Sequence, residues 1–127
     1  METKPVDLQK ILEFQRQFVR EREWEKFHTP KNLAMALAGE AGELLELFQW
    51  LTAEESAKLT ENPDKAQALR HEMSDILFYL LRLADHFHID LEAALWEKLE
   101  QNARRYPVEL ARGNAKKYTE LAPKPVS

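Results

Sequence analysis

Proline and glycine decide how far a regular segment can run, and this chain is sparing with both. Its six prolines stand at Pro5, Pro30, Pro63, Pro107, Pro123 and Pro125, and it has only three glycines. The stretches between Pro30 and Pro63 and between Pro63 and Pro107 are therefore free to run as helices. Few runs alternate apolar and polar residues as a half-buried strand would. A length of 127 residues suits one domain with a real core. These features predict an all-α fold, a four-helix bundle.

Local signals place the helices. Asp7, just after Pro5, is a good N-cap for a first helix, with Leu8, Ile11, Gln15, Phe18, Val19 and Arg22 close to one face. The phase breaks after Arg22, which predicts a connecting segment from Trp24 to His28. Thr29 followed by Pro30 restarts a helix expected to reach about Leu51. Thr52 with Glu55 makes a capping box for a short helix ending near Leu59. Glu61-Asn62-Pro63 reads as a turn, and a third long helix runs from about Asp64 to Phe87. Asp90 caps a fourth, which Pro107 limits near Tyr106. The main domain is expected over residues 1–112, and the tail over 113–127 is expected to be poorly ordered or partner-dependent. On the third long helix Leu77, Phe78 and Leu81 lie away from an Ile76–Leu80–Leu83 stripe. Apolar residues on more than one side of a helix predict a homo-oligomer.

Charge and composition exclude several function classes. With 44% hydrophobic and 31% charged residues the chain has the balance of a soluble globular protein. The net charge is −4 and no Lys/Arg stripe stands out, so binding to a nucleic acid polymer is not expected. There is no cysteine, hence no disulfide or thiolate chemistry. No apolar run reaches membrane-spanning length and the N-terminus lacks an apolar signal region. A cytoplasmic protein with no membrane partner is expected.

The most informative stretch is GEAGELLELFQW, Gly39 to Trp50. At 100° per residue, Leu33, Leu44, Leu47 and Leu51 fall within about 40° of Glu40, with Glu43 about 60° to one side. In HEMSDILFYLL, Ile76, Tyr79 and Leu83 lie within about 40° of Glu72, and Asp75 about 60° to the same side. Glu40, Glu43, Leu44 and Leu45 thus correspond to Glu72, Asp75, Ile76 and Leu77 at a constant offset of 32 residues. Each of two helices carries an acid pair at i and i+3 inside its apolar stripe. A buried ionised carboxylate costs several kcal/mol unless paired, protonated or bound to metal. Arg70 and Arg82 do not sit at obvious pairing positions. A hard divalent cation, Mg²⁺ with Mn²⁺ as a possible substitute, meets the need and leaves positions for water and phosphate. Glu46, about 120° from Glu40, could be a second-metal ligand, a base or a surface residue.

Plainer readings stand beside these. A single E-x-x-E is common on solvated helix faces. Trp24 and Trp50 could be ordinary core packing, and His28 a solvent-facing residue near a helix start. Arg104 and Arg105 could bind phosphate, although a helix C-terminus attracts arginine anyway. Lys98, Asn102 and Tyr106 are spaced i, i+4, i+8 on one helical face. They offer a phosphate-neutralising charge, a donor–acceptor amide and a stacking ring. Two other functions compete on the residues. A di-iron carboxylate bundle needs inward Glu-x-x-His pairs, of which Glu25/His28 and Asp85/His88 are imperfect instances. A non-enzymatic helical interaction module would use the apolar faces for a partner.

LAMALAGEAGELLELFQW, followed by HEMSDILFYLLRLAD and NARRYP, resembles the all-α nucleoside triphosphate pyrophosphohydrolases, the MazG-like superfamily, and most of all its small dCTP pyrophosphatase branch. The resemblance covers roughly Val6 to Leu110. It implies a Mg²⁺-dependent enzyme, a nucleoside triphosphate diphosphatase, that splits a triphosphate, dCTP or a related dNTP, into monophosphate and pyrophosphate. It implies Glu40, Glu43, Glu72 and Asp75 as metal-binding and catalytic acids. It implies Trp24, His28 and Trp50 around base and sugar, and Lys98, Asn102 and Tyr106 against the nucleotide from the fourth helix. It also implies a MazG-like bundle assembled as a dimer or tetramer, the tetramer favoured, with sites at subunit interfaces.

Overall fold

The computed structural model describes residues 3–121, and among these every regular element is helical. The long helices are α1 (Leu8–Glu21), α2 (Pro30–Glu46), α4 (Pro63–His86) and α5 (Leu91–Arg105). Three single-turn helices complete the set: α3 (Ala53–Ser56), α6 (Val108–Ala111) and α7 (Tyr118–Leu121). Short 3-10 turns occupy Glu25–Phe27 and Leu59–Glu61. The chain divides into two compact units, one up to Ile89 and one from Asp90 onward.

Helix starts follow the capping chemistry. Asp7 accepts from the Lys10 amide, Thr29 from Asn32, Asn62 from Asp64 and Lys65, and Asp90 from Ala93. Each satisfies amides that have no partner inside the helix. The Thr52/Glu55 capping box is complete in both directions.

Helix ends differ more from expectation. α2 stops at Glu46 rather than Leu51, and Leu47 to Trp50 form turns. The Leu47, Phe48 and Leu51 amides reach back only three residues, to Leu44, Leu45 and Phe48. Thr52 must be extended, with ψ 165°, to cap α3, so the chain unwinds before it. α3 ends at Ser56, and Leu59 is instead buried in its own 3-10 turn. The tail is also more structured than expected. Gly113 turns the chain at φ 78°, α7 follows, Leu121 is buried, and the Arg105 guanidinium lies 4.5 Å from the centre of the Tyr118 ring. The remainder of the expected tail, 122–127, lies outside the described residues.

The phase break after Arg22 has a local cause. Glu23 adopts φ 53°, the Trp24 amide bonds the Val19 carbonyl at 3.0 Å and the Glu23 amide bonds Arg20 at 3.1 Å. This is a Schellman close, with glutamate where glycine is usual. His88, at φ 55°, closes α4 in the same way, with Ile89 bonded to Ala84. A side chain in this conformation costs energy that glycine avoids. Glu23→Gly is expected to stabilise the protein by about 0.5–1 kcal/mol. The urea unfolding midpoint is the measurement, and it should rise with no change in slope.

In the first unit α4 is the central element, and α2, the 59–61 turn and α1 all pack on it. Val19, Leu33, Leu59, Leu81 and Ala84 form its buried core. On α4 the buried side is therefore Leu81 and Ala84, while Leu80 of the expected stripe is exposed. Buried Gln15 ties α1 to α4 by donating from Nε2 to the Phe78 carbonyl at 3.0 Å. In the second unit α5 has no buried residue, and Leu95, Trp96 and Leu99 are exposed.

Candidate metal centre and nucleotide site

Because α2 packs along α4, Glu40 meets Glu72. Carboxylate oxygens of Glu40, Glu43 and Glu72 lie within 4.8 Å of one another, the first and last half-buried and Glu43 exposed. One oxygen of Glu40 and one of Glu72 are wholly buried without a hydrogen-bond partner. Two ionised carboxylates offer each other only acceptors, so a direct bond between them requires a proton. Hydrogen bonding to the Glu72 carboxylate, open to Glu40 only when it is protonated, then burial, and then the neighbouring Glu43 and Asp75 push Glu40 up to about 7. For Glu72 proton sharing with Glu40 acts downward. Burial and the charges of Glu43 and Asp75 outweigh it, and the net shift is upward.

Asp75 stays outside the three-carboxylate group. It is exposed on α4, close enough for its charge to act on Glu40, Glu72 and Tyr79. Glu46 is exposed at the last position of α2. No lysine or arginine pairs with any of these acids among the described residues, whose four ion pairs all lie elsewhere. The group fits a hard divalent ion: oxygen donors only, two of them buried acceptors that nothing in the protein satisfies.

Beside the acids runs a chain of rings. Trp24 packs on Phe18 with ring centres 5.7 Å apart, and on His28 at 6.2 Å. His28 meets Phe78 edge-on at 6.3 Å, and Phe78 meets Tyr79 at 5.2 Å. Burial, then the charges of Glu40 and Asp75, raise the Tyr79 hydroxyl above its ordinary range. The run therefore leads from Trp24 to the acids. His28 is half-buried rather than solvent-facing, and burial followed by the Arg82 charge lowers its pKa. Trp24 is 39% exposed and Trp50 86% exposed, so neither is core packing. Trp50 joins no ring pair among the described residues; it stands on the turn after α2.

Lys98, Asn102 and Tyr106 belong to the second unit. Lys98 Nζ donates to Gln101 at 3.0 Å. With Ala94, Glu97, Gln101 and Arg104 it lines a hollow of about 310 Å³. The Asn102 carbonyl accepts the Tyr106 amide at 2.8 Å, which ends α5. The di-iron pairs find no support. Asp85 is engaged by Arg16 and Arg82, and the one cluster of potential ligands among the described residues contains no histidine. Sequence reasoning missed Phe78, Tyr79 and Arg82 as neighbours of the site. In the sequence Tyr79 is an apolar rung in phase with Glu72, Phe78 an apolar residue off the Ile76–Leu80–Leu83 stripe, and Arg82 an arginine out of pairing position with the acids.

The MazG-like family model matches residues 36–121, a span that includes all four acids. The chain belongs to the MazG-like family. The dCTP pyrophosphatase 1 of Bos taurus is 49% identical over 114 residues, which is 90% of this chain and 68% of that protein. The Homo sapiens protein of the same name is 47% identical over 90% of this chain and 67% of its own length. A crystal structure of a pyrophosphatase from Archaeoglobus fulgidus DSM 4304 superposes with TM-score 0.74 at 36% identity, covering 84% of this chain and 98% of that one. This MazG-like chain thus shares sequence and fold with pyrophosphatases across the region that carries the acid group and the ring run.

Proposed function

We propose that this MazG-like protein is a Mg²⁺-dependent nucleoside triphosphate pyrophosphohydrolase. Its substrate is dCTP or a related dNTP, and its products are the monophosphate and pyrophosphate. The observation that carries the reading is the Glu40–Glu43–Glu72 group with its two unsatisfied buried oxygens, in a chain 47% identical to proteins named dCTP pyrophosphatase 1. Glu40, Glu43 and Glu72 would hold the cation, joined by Asp75 from the margin of the group. When bound, Mg²⁺ supplies charge neutralisation on the triphosphate oxygens.

The protein's own groups do the rest. Water adds to a phosphorus, the bridging P–O bond breaks, and pyrophosphate departs with the bond's electron pair. The water proton passes to a carboxylate. Glu40, Glu43 and Glu46 are the candidates. Trp24, His28 and Trp50 hold base and sugar by stacking and hydrogen bonding. Lys98, Asn102 and Tyr106 engage the nucleotide from α5. Positioning and electrostatics supply most of the acceleration, as in phosphoryl transfer generally.

The MazG-like domain spans residues 1–112, with 113–127 as the C-terminal tail. A homotetramer is the assembly. Exposed Met35, Leu45, Met73, Leu77, Leu95 and Trp96 support association, since a monomer would leave them in water. No helix among the described residues is long and apolar enough to cross a membrane, and the expected compartment is the cytoplasm. The test is hydrolysis of ribo- and deoxynucleoside triphosphates with Mg²⁺, assaying pyrophosphate and orthophosphate separately. Pyrophosphate release led by dCTP and abolished by EDTA is the expected result. Orthophosphate release, or no reaction with any substrate, would overturn the proposal.

A further inference from the structure

His28 is held by a network that runs through α4 to α1. Arg82 Nε on α4 donates to His28 Nδ1 at 3.4 Å, at the long end of a hydrogen bond. The same guanidinium donates from NH1 to Asp85 Oδ2 at 3.4 Å. Asp85 is gripped from α1 by Arg16, whose Nε lies 3.0 Å from both carboxylate oxygens and whose NH2 lies 2.6 Å from one. The Arg82 side chain is only 12% exposed. Phe78 meets the imidazole edge-on and Trp24 packs beside it.

An arginine guanidinium can only donate. The Nδ1 it faces must therefore be an acceptor, and the proton of a neutral imidazole must sit on Nε2. We propose that Arg82, braced by Asp85 and Arg16, is a positioning residue that sets His28 as the Nε2–H tautomer. His28 then presents a neutral donor to an uncharged acceptor on the base or sugar of the nucleotide, and does not act as a cationic partner for its phosphates. The substrate half rests on the proposed function; the tautomer half stands on the network alone. Among the described residues Arg82 makes no ion pair with Glu40, Glu43, Glu72 or Asp75. Its charge also opposes protonation of His28, which keeps the ring neutral.

Long-range ¹⁵N–¹H correlation spectra of the imidazoles in the free protein at neutral pH test the first half. The expected result is His28 protonated on Nε2 alone in the wild type, and a mixture of tautomers in Arg82→Met. Arg82→Lys, which keeps a charge and a donor, should restore part of the Nε2–H population. Kinetics with dCTP and Mg²⁺ test the second half. Arg82→Met should raise KM by about fivefold, the worth of one ordinary hydrogen bond, with a smaller effect on kcat. Wild-type His28 protonated on Nδ1, or an unchanged spectrum and KM in Arg82→Met, would overturn the assignment. Should Arg82→Met fail to fold, the wild-type spectrum and the Arg82→Lys comparison still decide it. If the wild type hydrolyses no triphosphate, the substrate half falls with the proposed function, and the spectrum alone judges the role of Arg82.

Discussion

Glu72→Gln is expected to lower turnover of dCTP at saturating Mg²⁺ by about 10³-fold or more, while leaving the helices intact by circular dichroism. Loss of one oxygen ligand and its charge forfeits several kcal/mol of transition-state stabilisation, and about 4 kcal/mol corresponds to that factor. Glu72→Ala and Asp75→Ala should behave alike in the assay. Stability should move the other way. In the metal-free protein Glu40, Glu43 and Glu72 crowd one another, so removing one charge relieves repulsion and the variant should melt at or above the wild-type temperature. Addition of Mg²⁺ should raise the wild-type melting temperature and leave Glu72→Gln nearly unmoved. A variant that keeps full activity, or loses stability without metal, would remove the acids from the site.

The same group sets a pH signature. Glu40 is raised from 4.5 to about 7, so between those values the folded protein holds a proton that the unfolded chain has released. By linkage the metal-free protein loses stability as pH rises through this window. Magnesium competes with that proton, so its stabilising effect should grow over the same interval. Melting curves with EDTA and with Mg²⁺ across the window measure both.

Asp85→Ala is expected to cost about 2–3 kcal/mol, seen as a melting temperature lower by about 6–15 °C. Asp85 is 18% exposed and holds two guanidiniums, one of them Arg82 at 12% exposure. Truncation leaves Arg82 largely buried without a counter-charge. The cost stays below that of a fully buried pair because Arg16 is 41% exposed and recovers water. Arg16→Ala should cost less, since Asp85 keeps Arg82. The hydrogen bond to Arg16 holds the Asp85 carboxyl below its ordinary value of 3.8. Its contribution is therefore present above that pH and lost as pH falls through the lowered folded value. Equal destabilisation by the two variants would show that Arg82 does not depend on Asp85.

Much of the local architecture was legible in the sequence. Asp7, Thr29-Pro30 and Asp90 mark the starts of three long helices, because an N-cap bonds amides two or three residues away and nothing distant is involved; Asn62-Pro63, read as a turn before a helix at Asp64, is the cap and first residue of α4. The phase of Glu40 against Glu43, and of Glu72 against Asp75, is likewise set by helical periodicity. The ends were less legible. α2 stops at Glu46 since Thr52 must be extended to cap α3, and a continuous apolar pattern through Leu51 hides that competition. Glu23 and His88 close their helices at positive φ, where glycine would have announced the turn.

What the sequence by itself determined is the all-helical nature of the described residues, most of their helix starts, and the acid pairs on α2 and α4, all products of contacts within about four residues. The tertiary structure decided which acids converge, bringing Glu40 to Glu43 and Glu72 while Asp75 stays at the margin. It decided that α4 buries Leu81 rather than Leu80, because packing partners, not periodicity, choose among the sides of a helix apolar on several. It also brought Arg82 to His28 across 54 residues of sequence and Arg16 to Asp85 across 69. Such pairs depend on how α1 and α4 pack, and no local pattern of residues encodes that.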